Sequence, residues 1–219
     1  AEPGSIHTTQ TCYLTGGIDP SGYVYAAVPS NRLEGVTTTV YYKDANGQEE
    51  EWDAENYDQQ NPLTTDEDGM YLWDVPAGQW QVKYEKEGYI TAYSAWLDVP
   101  PPQTEVNIAL VSTAAPKVES VTVYPDEIRI AFTQYMDIDS VMSGITVSMD
   151  GRSVTGTVTP VNEEAASDNP ETQYASVFLF TPASGTLQGT VAVQVSGVMN
   201  YANTVSYTHL RAHETLRHL

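Results

Sequence analysis

The chain has 219 residues, with 29 Asp+Glu against 9 Lys+Arg and a net charge of -20. That balance excludes phosphate-driven binding to nucleic acid, which needs clustered Lys and Arg, and it excludes attraction to an anionic membrane surface. A hydrophobic content of 41% is too high for a solvated acidic tail, no apolar run reaches membrane-spanning length, and the single cysteine, Cys12, allows neither an intrachain disulfide nor a cysteine zinc site.

Residues 1–17 read as a leader or linker. They begin with Ala and hold no basic stretch followed by an apolar one, so either a signal was removed or the chain is an internal piece of a longer protein, and the second is the reading taken. Beyond them, alternation with period 2 dominates. Val36–Tyr42, Tyr71–Val75, Trp80–Tyr84 and Val106–Leu110 alternate first. Val121–Val123, Ile128–Phe132, Ile145–Met149, Val154–Val158, Val177–Phe180 and Val191–Val195 follow. Each run is short and one-sided, the pattern of a half-buried antiparallel strand. Turn signals separate the runs, among them Asn46-Gly47, Asp68-Gly69, Pro76-Ala77-Gly78 and Asp150-Gly151. Asp137 to Met142 predicts one short helical turn with an Asp cap. The fold class is therefore all-β, as two tandem antiparallel β-sandwiches. Pro100-Pro101-Pro102 marks an edge, and residues 112–116 predict a linker between a unit at 18–111 and another at 117–203.

The first unit resembles the carboxypeptidase-regulatory-like, prealbumin-like β-sandwich of secreted bacterial proteins. The residues that carry the resemblance are Gly22-Tyr23-Val24, Leu33-Glu34-Gly35-Val36 and the run TTDEDGMYLWDVPAGQWQVKYEKEGY over 64–89. In this pattern Trp73 and Trp80 lie on adjacent antiparallel strands and pack together. Segment 48–63, with Glu49-Glu50-Glu51, departs from the pattern and reads as an inserted loop. The second unit is similar to the Ig-like domains of large bacterial surface and S-layer-type proteins, through Val118–Val121, Ile128–Val141, Ile145–Val147, Val154–Val158 and Phe178–Pro182. Residues 204–219 are set apart. Their stretch VSYTHLRAHET closely resembles the conceptual translation of a sequencing-library transposase adapter. They are excluded from the fold and expected to be loosely attached.

Catalysis finds little support in the residues. Outside the tail the only histidine is His7, so a serine triad is excluded, and no Glu stands in a recognisable glycosidase context. Asp66, Asp68, Asp137 and Asp139 are candidates for weak calcium binding, with turn formation and helix capping as the favoured reading. Trp52 and Trp96, lying near loops, are candidate ligand contacts. No other cofactor is expected. Both resemblances imply non-catalytic modules of an extracellular or cell-surface protein, whose partners are neighbouring domains of the same longer chain. The alternative is recognition of a polysaccharide or surface protein by an accessory module. Membrane insertion and nucleic-acid binding are not expected.

Overall fold

The computed structural model describes residues 19–206 in full and Leu210–Leu216 as backbone. The predicted leader, with His7 and Cys12, lies outside the described residues. The first half holds β1 (Ser21–Tyr25), β2 (Thr37–Lys43), β3 (Glu49–Glu51), β4 (Leu63–Thr64) and β5 (Met70–Leu72). It continues with β6 (Gly78–Glu85), β7 (Ala92–Tyr93), β8 (Leu97–Val99) and β9 (Ile108–Ala109). β1 is the middle of a three-stranded sheet, antiparallel to β5 and parallel to β9. β2 and β6 centre a six-stranded sheet, with β3 and β4 on β2, and β7 and β8 on β6. Alternation decides which faces are buried. On β6, Trp80, Val82 and Tyr84 are 4%, 0% and 0% exposed, while Gln81 and Lys83 lie nearer the surface.

The chain is all-β and largely antiparallel, as expected, but the expected pairing of Trp73 with Trp80 is not found. β5 belongs to one sheet and β6 to the other, so Pro76–Gly78 crosses between sheets instead of turning a hairpin. The reason lies in the backbone accounting. The amides of Trp73 and Val75 donate to the carbonyls of Pro20 and Asp19, both at 3.1 Å. They continue the ladder toward the residues before β1, and the Asp74 N–H on the opposite edge donates to Gln59 Oε1 at 2.9 Å and not to β6. Both indoles enter one core, but Trp73 meets Tyr71 with ring centroids 5.7 Å apart, and Trp80 meets Trp52 at 5.4 Å. Gly69 has φ +68, and a Cβ there would stand 2.5 Å from the Val24 carbonyl oxygen, so the tight turn before β5 needs glycine.

The second half holds β10 (Val118–Val123), β11 (Ile128–Asp137), helix α1 (Ile138–Gly144), β12 (Ile145–Met149), β13 (Arg152–Val154) and β14 (Gly156–Pro160). After them come β15 (Glu164–Ala165), β16 (Gln173–Pro182), β17 (Gly189–Val195) and β18 (Leu210–Leu216). One sheet runs β10-β11-β16-β14 with β15 beside β16, and the other runs β13-β12-β17-β18. α1 connects them, and Asp137 caps it by accepting from the Ser140 N–H at 2.8 Å. Buried apolar side chains fall into two clusters, one drawn from residues 24–110 and the other from 128–198. The 112–116 stretch is no loose tether. Ser112 is buried and its N–H donates to the Tyr201 hydroxyl at 2.8 Å, while Gln134 Nε2 donates to the Ala114 carbonyl at 3.0 Å.

The C-terminal residues also depart from expectation. Ser206 is buried and its N–H donates to the Val198 carbonyl at 2.8 Å. β18 pairs with β17 antiparallel, from Gly189–Leu216 to Val195–Leu210. An open strand edge presents unpaired N–H and C=O groups and accepts an extended segment through backbone alone, so side chains need not be fitted for it. Ending the chain at residue 206 should speed hydrogen exchange at the β17 edge amides and leave exchange in the first core unchanged, as followed by mass spectrometry. Trp73→Ala and Trp80→Ala should each cost about 3–5 kcal/mol. In calorimetry the transition of the first core should move down or vanish, while that of the second core persists.

Candidate functional site

Segment 48–63 reads as an inserted loop in the sequence, yet it is docked along its length. β3 places Glu49, Glu50 and Glu51 opposite Lys43, Tyr42 and Tyr41. A short 3-10 turn at Ala54–Tyr57 follows. Asp53 begins that turn by accepting from the Glu55 N–H at 3.3 Å and from Asn56 Nδ2 at 2.9 Å. β2 is paired with β4 through Thr37 and Thr38 and with β3 from Tyr41 onward, which leaves a gap at Val40. Asn61 fills the gap. Its Oδ1 accepts from the Val40 N–H at 2.9 Å, and its Nδ2 donates to the carbonyls of Val40 at 2.9 Å and Trp52 at 3.0 Å. One amide side chain thus does the work of a missing strand residue and reinforces the tie of Trp52 to β2, where the Trp52 N–H already donates to the Val40 carbonyl at 3.1 Å.

Trp52 is only 6% exposed and meets Trp80 edge to face, at 81°. Tyr57 lies over Trp52 at 5.2 Å and is 50% exposed. Tyr42 stands against Trp80 at 5.8 Å and donates its hydroxyl to Glu50 at 2.8 Å. That hydrogen bond, with partial burial and the nearby carboxylate charge, holds the Tyr42 phenol above its ordinary range. Together with Asp53, Asn56, Pro76 and Ala77 these rings line a groove of about 350 Å³. A second depression of about 570 Å³ adjoins it, sharing Trp52 and Asp53 and lined further by Gln59, Gln60 and Asn61.

The structure separates the predicted site residues. Trp52 is in the groove wall, chiefly as a support. Trp96 is not among the groove residues, and the Lys43 ammonium sits over its ring at 4.2 Å. Asp66 Oδ1 accepts from the N–H groups of Asp68 and Met70, at 3.0 and 2.8 Å, which is turn chemistry. Asp137 is the helix cap, and Asp139 lies exposed beside it. Among the described residues no three of His, Cys, Asp and Glu come together in a manner that could hold a metal ion. Sequence reasoning missed Tyr42 and Tyr57. The available signal was an aromatic cluster inside an insertion, which is a poor place for core residues unless the insertion folds back.

No family model and no curated protein matches the chain. Among solved structures it is similar to the S-layer protein rSbsC(31-844), at 18% identity and a TM-score of 0.35, over 47% of this chain and 14% of that one. It is similar also to the surface layer protein SbsC, domains 1-6, at 18% identity and a TM-score of 0.32, over 46% of this chain and 13% of that one. The matches thus span about one seventh of those longer chains. Overlap of this extent transfers no function.

Removing the Asn61 side chain leaves the Val40 N–H and the Trp52 carbonyl short of a partner, while the Val40 carbonyl keeps its bond from the Trp52 N–H at 3.1 Å. Asn61→Ala should therefore destabilise the first core by about 1–3 kcal/mol. Its tryptophan emission should shift to the red before global melting, because Trp52 is then held to β2 by its backbone N–H alone.

Proposed function

We propose that the chain is a pair of non-catalytic structural modules belonging to a larger secreted or cell-surface bacterial protein. In this reading a prealbumin-like sandwich and an Ig-like sandwich hold neighbouring domains at a set distance and angle. One observation carries it: the two cores are joined by side-chain hydrogen bonds. The Tyr201 hydroxyl donates to the Leu110 carbonyl at 2.9 Å and accepts from the Ser112 N–H at 2.8 Å. Its ring meets Tyr174 at 6.3 Å. Elsewhere, the Tyr25 hydroxyl bonds Ser167, and Ser30 donates both its N–H and its hydroxyl to Glu164. A joint of this kind suits a spacer. The net charge of -20 suits it as well, since like charge keeps arrayed modules soluble and apart.

The joint can be titrated. Burial pushes the Tyr201 phenol up to about 12 from its ordinary 10.0. The folded value lies above the unfolded one, so its contribution is present in full below about pH 10 and is lost as pH rises toward 12. In ¹⁵N relaxation the two cores should share one correlation time at pH 7 and begin to tumble separately across that alkaline window. Tyr201→Phe should already loosen the joint at pH 7 and lack the further Tyr201-dependent step. Separate tumbling of the unaltered chain at pH 7 would sink the spacer reading.

A further inference from the structure

We propose that the groove beside the 3-10 turn binds an uncharged saccharide chain. The floor is built for stacking. Tyr57 offers a half-exposed ring, and that ring is backed by Trp52, which is itself fixed edge to face against Trp80. A flat aromatic face packed on a second ring matches the C–H face of a pyranose, and an aromatic side chain has few rotors to order on binding. Polar groups stand where the sugar hydroxyls would lie. Asp53 has one bond on each carboxylate oxygen, from Glu55 and Asn56, and each oxygen keeps further accepting capacity. Asn56 has spent one Nδ2 proton on Asp53 and retains the rest of its amide capacity. The size agrees, since about 350 Å³ accommodates a sugar ring and lies in the range of small-ligand sites. The adjoining depression continues the track for a second residue, with Gln60 exposed there and with the Gln59 amide keeping capacity beyond its two bonds to the Asp74 backbone.

Charge selects the class of saccharide. Glu50 bonds Tyr42 at the groove, Asp53 lines it, and Glu55 lies in the turn beside it. The chain as a whole carries -20. Uronate, sulfate or phosphate groups would be repelled, whereas a neutral glycan escapes that cost. The groove therefore fits a neutral hexose polymer. This site is independent of the joint at Tyr201, so the saccharide proposal and the spacer reading can fail separately.

The test uses the full chain, with cellohexaose, maltohexaose, mannohexaose and chitohexaose as neutral probes. Hexagalacturonate and a Lys-rich peptide are the charged probes. Binding is read by tryptophan emission and by calorimetry. At least one neutral hexaose should bind saturably. Tyr57→Ala should weaken that binding about tenfold or more, as removal of a central aromatic contact does, with no change in Tm. Tyr57→Leu, which keeps an apolar contact on Trp52 but removes the flat ring, should give a similar loss if Tyr57→Ala disturbs folding. The proposal is overturned by any of three results: no neutral hexaose binds up to about 10 mM, a range that already admits very weak ligands; binding is undiminished in both Tyr57 variants; or hexagalacturonate or the peptide binds more tightly than every neutral probe.

Discussion

A buried relay of two phenols holds the first unit together. Tyr71 donates to the Val106 carbonyl at 2.6 Å, and because it has one proton it must accept from Tyr84, also at 2.6 Å. Tyr84 is on β6 in the larger sheet, while Tyr71 is on β5 in the smaller one, so the relay runs from sheet to sheet. Desolvation drives both phenols well above their ordinary range, which keeps them neutral and makes each proton available for the relay. A buried hydroxyl without a partner is costly, so this geometry tolerates little sliding of one sheet over the other. The rest follows from that alignment. β5 lies against β1, the chain crosses at Pro76–Gly78, and Trp80 then faces the place where Trp52 docks.

The sequence made some of this legible. Strands β2, β6, β11, β12 and β17 carry enough alternating β-branched or aromatic residues to declare themselves, and Asp137 announces the start of α1. Strands of two or three residues, such as β3, β4, β7 and β8, are too short for periodicity to appear. The partner of β5 was misjudged because a turn signal says where a chain bends and not which sheet it enters next. Pro76-Ala77-Gly78 fits a hairpin as well as a crossover. What decides is where both edges of the segment are paired: the amides of Trp73 and Val75 go to Pro20 and Asp19, and that of Asp74 goes to the Gln59 side chain.

The groove was harder to foresee for a related reason. A run of three glutamates in 48–63 suggests solvent, and as an exposed edge strand it does face solvent, where charge discourages pairing with other chains. The aromatic residues that follow reverse direction and return to the core. Their anchor, Asn61, is a residue that usually signals a loop, and its role rests on a gap in β2 that cannot be read before the pairing is known. The acidic clusters are the easier case, because turn formation and helix capping are already their favoured reading. Asp66 and Asp68 look like ligands in one dimension, but Asp66 is already occupied by the amides of its own turn.

The parallel pairing of β1 with β9 has a mechanical consequence. These strands begin and end the described part of the first unit, and they run side by side through Val24–Ile108 and Tyr25–Ala109. The ladder is lengthened by backbone bonds from Ser21 to Gln103, from Val106 to Ser21 and from Leu110 to Tyr25. In a parallel pair, the incoming end of one strand and the outgoing end of the other lie at opposite ends of the ladder. Tension along the chain therefore pulls the two strands past each other, in shear. Every bond of the ladder resists together, whereas a hairpin pulled from its open end would surrender its bonds one at a time.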